Sequence, residues 1–279
     1  MRKRRYRSGA SNLLNVDTQQ PLVDGHPNTV GLVGLWKALP AIAGGVTWYD
    51  LSGQGNHGTL TNGPTWSSGR DGTGAVRFDM VNDYVDLGNP LTLKFGTGDF
   101  SISVWFHASS VSTYQALIGK DVDGQRDWTF WVGASANKIG FSGFTPVKNI
   151  ISANTITANQ WYHGVVTRQS GTATLYIDCE QNGSLAITQD FSGTNNLNIG
   201  RREYPGFEQY FNGLIDDVSI YNRALSASEI SAQYEDRVTG KYDMFRYVNR
   251  NAFWSVAGSG FTGSPWYHNL QQSIISGAA

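Results

Sequence analysis

Short segments in which apolar and polar residues alternate recur along most of the chain, and they limit the fold more than any other feature of the sequence. In one of them every second residue is apolar: Phe100, Ile102, Val104 and Phe106. Successive side chains of a strand point to opposite faces of a sheet, so this spacing predicts a strand with one buried face. Residues 173–177 repeat the pattern. Many such strands separated by Gly, Asn and Asp predict an all-β fold, as an antiparallel sandwich or barrel.

The segment 213–221 and three Asn-Gly steps extend this pattern. Leu214, Val218 and Ile220 are predicted on one face of a strand, with Asp216 between them. Asn-Gly pairs favour positive φ angles and therefore predict tight turns. They stand at residues 62–63, 182–183 and 212–213.

One α-helix is predicted after the last strand. Ser226 and Glu229 have the spacing of a capping box, in which the serine oxygen accepts from the glutamate N–H and the glutamate side chain reaches back. Ile230 and Tyr234 follow four residues apart and therefore share one face of the helix.

The composition excludes several classes of protein. Only 15% of the residues are charged and 13% are aromatic, whereas disordered chains are charge-rich and poor in aromatics. One cysteine in 279 residues excludes an internal disulfide framework. No stretch approaches the roughly 20 apolar residues of a membrane helix, so no membrane span is expected.

Residues 1–27 are predicted to form an extended basic arm, because prolines break any regular element there. Five cations stand at its start: Arg2, Lys3, Arg4, Arg5 and Arg7. The rest of the chain carries 16 basic against 22 acidic residues. The arm is either a solvated terminus or an anchor onto an acidic protein or membrane surface, and nucleic acid is expected to bind only through it. It lacks the apolar run of a secretory signal, so we expect another export route or carriage inside a particle.

Residues 237–279 form an aromatic-rich C-terminal extension. Glycine, serine and asparagine separate its aromatic residues, which include Phe253, Trp254, Trp266 and Tyr267. Such a segment has no core of its own, yet so much aromatic surface is unfavourable in water. We expect it to pack on its own sandwich or on a neighbouring subunit.

Seven motifs between the two arms, taken in order, resemble a known family. They stand at residues 31–36, 50–66, 76–79, 82–87, 100–105, 159–163 and 211–226. Together they resemble the laminin G-like jelly rolls of the concanavalin A-like lectin/glucanase superfamily over roughly residues 30–236. The resemblance implies two curved antiparallel sheets packed face to face, in a domain that we place at residues 28–236. It implies little about function, because such modules serve as glycan binders, adhesion domains and structural pieces of particles.

Members of this superfamily carry two kinds of site that can be sought in this sequence. Related glucanases alternate Glu and Asp on one strand, which this sequence does not do, so an enzyme is not expected. Family members often hold a structural calcium ion, and the matching positions here are Asp79 and Asp83 together with Asp216 or Asp217. Met80 stands where a glycine usually follows the first of these aspartates. The alternative is that the aspartates cap turns.

Aromatic residues in or beside loops are candidates for stacking on sugar rings, whose C–H faces are apolar. The candidates are Tyr114, Trp128, Trp131, Tyr204, Phe207 and Tyr210. The alternative for each is ordinary packing in the core or in an interface.

Two classes of function remain open at this point. The first is a non-catalytic structural or adhesion protein of a large assembly, namely a virion decoration or appendage protein that assembles with other subunits, including copies of itself, through its arms. The second is a free carbohydrate-binding module that acts outside the cell or on its surface. A glycoside hydrolase is a distant third. The basic arm and the aromatic extension favour the first class and a virion-surface location.

Overall fold

The computed structural model describes residues 29–39, 43–70, 74–122, 125–133, 136–144, 146–203 and 209–239. The arm at residues 1–27 and nearly all of the extension at residues 237–279 lie outside them. In chain order the strands are β1 (Leu32–Trp36), β2 (Thr47–Trp48), β3 (Gly58–Thr61), β4 (Thr65–Ser68), β5 (Gly74–Asp79), β6 (Tyr84–Asp86), β7 (Phe100–Ala108), β8 (Gln115–Val122), β9 (Gln125–Gly133), β10 (Lys138–Gly143), β11 (Lys148–Ile151), β12 (Trp161–Gln169), β13 (Thr172–Ile177), β14 (Glu180–Ala186), β15 (Asn198–Ile199), β16 (Arg201–Arg202), β17 (Gln209–Tyr210) and β18 (Asn212–Tyr221). The helices are a 3-10 turn at Leu91–Leu93 and α1 (Ala227–Thr239).

Two antiparallel sheets of eight strands contain nearly all of these strands, which confirms the predicted two-sheet jelly roll. The first sheet runs in the order β14-β13-β12-β7-β18-β5-β4, and β1 also pairs with β18. The second sheet runs in the order β11-β10-β9-β8-β15-β6-β3-β2. The two short strands β16 and β17 pair as a separate hairpin.

The core lies between the two sheets and is rich in aromatic rings. The ring of Phe100 stacks on Phe95 with centroids 4.4 Å apart, and Trp128 lies 5.6 Å from Phe95. Phe141 is 5.8 Å from both Phe100 and Trp128. The alternating residues of β7 all belong to this core, as predicted. Each large side chain buried there contributes about 1.5–3 kcal/mol relative to an exposed one.

Two cations are buried beside this core. The guanidinium of Arg168 donates to the backbone carbonyls of Gly96, Gly98 and Gln189, and burial lowers its pKa. Lys120 is 1% exposed, and its Nζ lies 3.8 Å from Asp127 Oδ2. Burial lowers the pKa of Lys120 to about 8, although the charge of Asp127 acts in the opposite direction.

The predicted face of strand β18 is wrong in part, because a β-bulge changes which of its residues point to the core. The register of β18 against β7 shifts between Asp216 and Ser219, and Asp217 has a φ of 46°. Because the bulge adds an extra residue, the alternation of inward and outward side chains is offset by one position after it. The core receives Ile215, Val218 and Ile220, whereas Leu214 lies on the outer face.

Only one of the three Asn-Gly steps forms a turn. Asn62 and Gly63 have positive φ angles and connect β3 to β4. The steps at residues 182–183 and 212–213 lie inside β14 and at the start of β18. The turn between β13 and β14 is formed instead by Asp178 and Cys179, both with positive φ.

Helix α1 packs on the outer face of the first sheet. The predicted capping box is present, because Glu229 N–H donates to Ser226 Oγ at 3.3 Å and Ser226 N–H donates to Glu229 Oε2 at 2.8 Å. Ile230 is fully buried. The ring of Tyr234 stacks on Trp105 of β7 with centroids 5.6 Å apart.

Candidate carbohydrate-binding surface

The outer face of the second sheet carries a cluster of aromatic rings that begins at Trp131. On β9, Trp128, Phe130 and Val132 belong to the core, so Trp131 points away from it. The Trp131 indole N–H donates to Ser142 Oγ at 2.8 Å, and the ring of Tyr114 stacks on the indole at a centroid distance of 4.9 Å. Trp131 is 5% exposed and Tyr114 is half-buried, so the tyrosine ring is the more accessible of the two.

A glycine makes room for this indole. Gly140 on β10 lies directly opposite Trp131. A Cβ added at Gly140 would lie 2.3 Å from the Trp131 ring and 2.7 Å from the Ile150 carbonyl oxygen. The indole therefore lies flat against the backbone of β10, which holds its orientation.

The β16–β17 hairpin packs on the same face of the second sheet. A Cβ added at Gly119, on the outer side of β8, would lie 3.5 Å from the carbonyl oxygen of Arg201 in the hairpin. The Arg202 guanidinium lies 5.5 Å from the Tyr114 ring centre and 5.0 Å from that of Phe144. Its NH1 donates to Gln209 Oε1 across the hairpin at 3.2 Å.

Arg201 makes the equivalent contacts with other rings. Its guanidinium lies 4.4 Å from the ring centre of Tyr84 and 5.8 Å from that of Tyr210. Its NH2 also pairs with Glu203 Oε2 at 2.8 Å. Each of the two arginines of the hairpin thus lies against two aromatic rings. We call this the aromatic–arginine surface; it consists of Tyr84, Tyr114, Trp131, Phe144, Arg201, Arg202 and Tyr210.

The structure unites three of the six predicted glycan-contacting residues. Tyr114, Trp131 and Tyr210 all belong to the aromatic–arginine surface. Trp128 is a correction, because it is fully buried between the sheets and cannot contact a glycan. Tyr204 and Phe207 lie outside the described residues. The sequence prediction missed Tyr84, Phe144, Arg201 and Arg202, although the pair of adjacent arginines in an aromatic-rich loop was a usable signal.

The four aspartates predicted to bind calcium do not form one group. Asp79 N–H donates to Asp83 Oδ2 at 3.1 Å, and burial together with the charge of Asp79 raises the pKa of Asp83. Asp216 and Asp217 are elsewhere on β18, since Asp79 lies opposite Asn212. In the described part of the chain, no group of three or more His, Cys, Asp or Glu side chains gathers where it could hold a metal ion.

The two aspartates of β18 have structural partners of their own. The backbone N–H of Ala38 donates to Asp216 Oδ1 at 2.9 Å. Lys37 Nζ lies 3.8 Å from Asp217 Oδ1. Of the four predicted aspartates, Asp79 and Asp83 interact with each other, whereas Asp216 and Asp217 do not join them.

The residues predicted to drive assembly fall in the terminal segments. Arg2, Lys3, Arg4, Arg5 and Arg7, like Phe253, Trp254, Trp266 and Tyr267, lie outside the described residues. Their predicted role remains a prediction. Across the described ranges, no helix has the length and apolar character needed to cross a membrane.

Comparison with known proteins agrees with this fold. A family model described as the concanavalin A-like lectin/glucanases superfamily matches residues 53–231. No curated protein sequence matches the chain at a significant level.

Several solved structures share the fold at low sequence identity. The binding domain of Paraclostridial Mosquitocidal Protein 1 superimposes with a TM-score of 0.61 at 19% identity, over 75% of this chain and 53% of its own length. Domain 4 of AbnA, an extracellular arabinanase from Geobacillus stearothermophilus solved with arabinotriose, gives a TM-score of 0.59 at 18% identity, over 72% of this chain and 97% of that domain. The receptor binding domain of botulinum neurotoxin D gives 0.58 at 16% identity, over 76% and 54%. The chain thus spans about half the length of the two toxin domains.

Proposed function

The chain belongs to the concanavalin A-like lectin/glucanases superfamily, and we propose that it is a non-catalytic carbohydrate-binding module that holds polysaccharide on its aromatic–arginine surface. The observation that carries the proposal is that two adjacent guanidinium groups of the β16–β17 hairpin each lie against two aromatic rings. Aromatic rings offer flat platforms for the apolar faces of sugars, and guanidinium groups donate several hydrogen bonds in a fixed geometry.

The contacts within the surface give each residue a distinct part in this proposal. Tyr114 is the accessible platform, and Trp131 supports it from below through their stacked rings. Arg201 and Arg202 hold the rings in place by cation–π contacts and bring positive charge to the surface. Because the residues are fixed before a ligand arrives, little side-chain entropy is lost on binding.

A binding role is also in keeping with the structural relatives. Two of them are named as binding domains, and a third is an arabinanase domain whose structure contains arabinotriose. Glycosidases need two carboxyl groups flanking the bond to be cleaved. On the aromatic–arginine surface, Glu203 is engaged by Arg201 at 2.8 Å. We therefore propose binding without hydrolysis, in an extracellular setting.

The test is a binding panel. Arabino-oligosaccharides and soluble plant, bacterial and animal polysaccharides are titrated into the full chain by calorimetry, with the wild type beside Tyr114→Ala. Tyr49→Ala is the matched control, because Tyr49 is half-buried, meets the His57 ring edge-to-face with centroids 5.4 Å apart, and is not part of the proposed surface. We expect at least one ligand to bind the wild type and the control, to lose affinity for Tyr114→Ala, and to be released unhydrolysed. Equal binding by all three proteins contradicts the proposed surface.

A second proposal concerns where the module is displayed. We propose that the basic arm and the aromatic extension attach it to other subunits of a large assembly, such as the surface of a virion. The support is the sequence of residues 1–27 and 237–279, which is unlike that of the sandwich between them. Gradient sedimentation of the protein from its source tests this, since a megadalton particle is expected and a free monomer contradicts the proposal.

A structural calcium ion is proposed at the Asp79–Asp83 turn only. Calcium prefers carboxylate and carbonyl oxygens, and these two carboxylates already lie close together. Burial, together with the charge of Asp79, raises the pKa of Asp83, and a bound ion would offset that charge.

A further inference from the structure

We propose that the outer face of the first sheet carries a second carbohydrate-binding site, a strip of five side chains that takes an acidic polysaccharide. This goes beyond the proposed function, because it involves the opposite sheet and a different class of ligand. The strip consists of Trp161, His107, Leu214, Arg77 and Thr65.

The strand register places these five residues in one row. Trp161 of β12 lies opposite His107 of β7, and His107 lies opposite Leu214 of β18. Leu214 lies opposite Arg77 of β5, which in turn lies opposite Thr65 of β4. Directly opposed residues of neighbouring strands project to the same face. Four steps of about 4.8 Å give a row of roughly 19 Å, long enough for several sugar rings.

The row faces away from the core. Phe106 and Ile215, the neighbours of His107 and Leu214 along their strands, both belong to the core. Since successive side chains alternate between faces, His107 and Leu214 point outward. Helix α1 covers the adjacent row of this face at Trp105, through the Tyr234 ring.

One end of the strip is an accessible aromatic platform. The rings of Trp161 and His107 have centroids 5.6 Å apart, and both residues are half-buried. Leu214, 9% exposed, is the buried apolar residue that follows them in the row. An indole next to an apolar side chain suits the C–H face of a sugar, and a half-exposed tryptophan in an outer row has no part in the core that explains it.

The other end of the strip is cationic. Arg77 and Thr65 are exposed, and no carboxylate in the described ranges lies within ion-pair distance of the Arg77 guanidinium. Asp79, two residues along the same strand, is occupied by its own turn, where Oδ1 accepts from Val81 N–H at 2.8 Å. An unpaired guanidinium is suited to bidentate recognition of a carboxylate, which indicates a uronic acid in the ligand.

The backbone beneath the strip is closely packed. Gly213, next to Leu214, is packed so closely that an added Cβ would lie 2.0 Å from the His107 carbonyl oxygen. The strip is thus built on the two central strands β7 and β18 rather than on loops. Sites on such strands keep their geometry before the ligand arrives.

The test uses affinity electrophoresis and calorimetry of the full chain with polygalacturonate as the acidic probe and arabinan as the neutral one. We expect the wild type to bind polygalacturonate, Trp161→Ala to bind it at least about tenfold more weakly, and Arg77→Gln to weaken it with a reduced salt dependence. Tyr49→Ala is the matched control and is expected to bind polygalacturonate as the wild type does, because Tyr49 belongs to neither proposed surface.

Two results would overturn this proposal. One is that wild-type protein does not bind polygalacturonate; the other is that Trp161→Ala and Arg77→Gln both bind it as the wild type does. Arg77 is exposed, so its replacement leaves the fold intact even if Trp161→Ala unfolds. Loss of binding in Tyr114→Ala alone would assign the acidic ligand to the aromatic–arginine surface and would leave the proposed function standing.

Discussion

The guanidinium of Arg202 lies 5.5 Å from the ring centre of Tyr114 and so connects the β16–β17 hairpin to the surface of the second sheet. A cation–π contact of this kind contributes about 0.5–2 kcal/mol, according to how far it is removed from water. The orientation of the Tyr114 ring therefore depends on a residue some 88 positions away in the sequence.

Replacing Arg202 tests whether this contact matters for binding. We expect Arg202→Ala to weaken polysaccharide binding by about tenfold, or about 1.4 kcal/mol, because the ring of Tyr114 loses one support. Arg202→Lys should restore only part of the affinity, since an ammonium group lacks the planar fork. Calorimetry with the ligand found in the panel measures both. Wild-type affinity in Arg202→Ala would show that the contact is merely structural.

The buried Lys120 predicts an unusual dependence of stability on pH. Its pKa is lowered from 10.5 to about 8 by burial, so the unfolded chain holds more protons than the folded chain between these values. Stability therefore rises as the pH increases through this window, by up to about 3 kcal/mol from this group. In Lys120→Met that rise should disappear. Urea denaturation of both proteins at pH 7.5, 9 and 10 checks this. The same change in unfolding free energy with pH in both proteins would contradict it.

The close packing of Gly140 against Trp131 predicts a sterically sensitive position. We expect Gly140→Ala to cost about 1–3 kcal/mol, since the new methyl group meets both a ring and a carbonyl oxygen. A second change, Trp131→Phe, should relieve part of that cost because the smaller ring leaves room. Chemical denaturation of the single and double variants measures the coupling. Strictly additive effects would mean that the indole is not what the methyl group meets.

The Asp79–Asp83 turn predicts a stabilising effect of calcium. Without a cation, the raised pKa of Asp83 means that its ionisation opposes folding as the pH rises above the ordinary carboxyl range. Millimolar calcium should raise the melting temperature of the wild type at pH 7, and chelator should reverse this. Asp83→Asn should lose the shift, while Asp217→Asn, the control, should retain it. Identical melting curves with calcium and with chelator would refute the site.

The sequence predictions that the structure confirms depend on the spacing of residues within one element. Alternation in β7 and the Ser226–Glu229 capping box each depend on residues within one element, so the sequence is enough to predict them. The face of Leu214 was wrong because it depends on a bulge whose carboxylate, Asp216, is held by the N–H of Ala38 from a distant part of the chain. No local pattern predicts such a partner.

The candidate site was predictable only in part. Trp128 and Trp131 are three residues apart on one strand, so they point to opposite faces. The alternation of Trp128, Phe130 and Val132 indicated which of the two is buried, and that signal was available in the sequence. The positions of Arg201 and Arg202 over rings from other strands were not, because they depend on how the hairpin packs on the sheet.

The most direct measurement is an NMR titration of the indole N–H signals with the oligosaccharide that binds best in the panel. Assignment comes from Trp131→Phe, Trp128→Phe and Trp161→Phe. We expect the Trp131 signal to shift in proportion to saturation, because the ligand covers the ring stacked on it, while the signal of the buried Trp128 stays in place. An unmoved Trp131 signal at saturation would contradict binding at the aromatic–arginine surface.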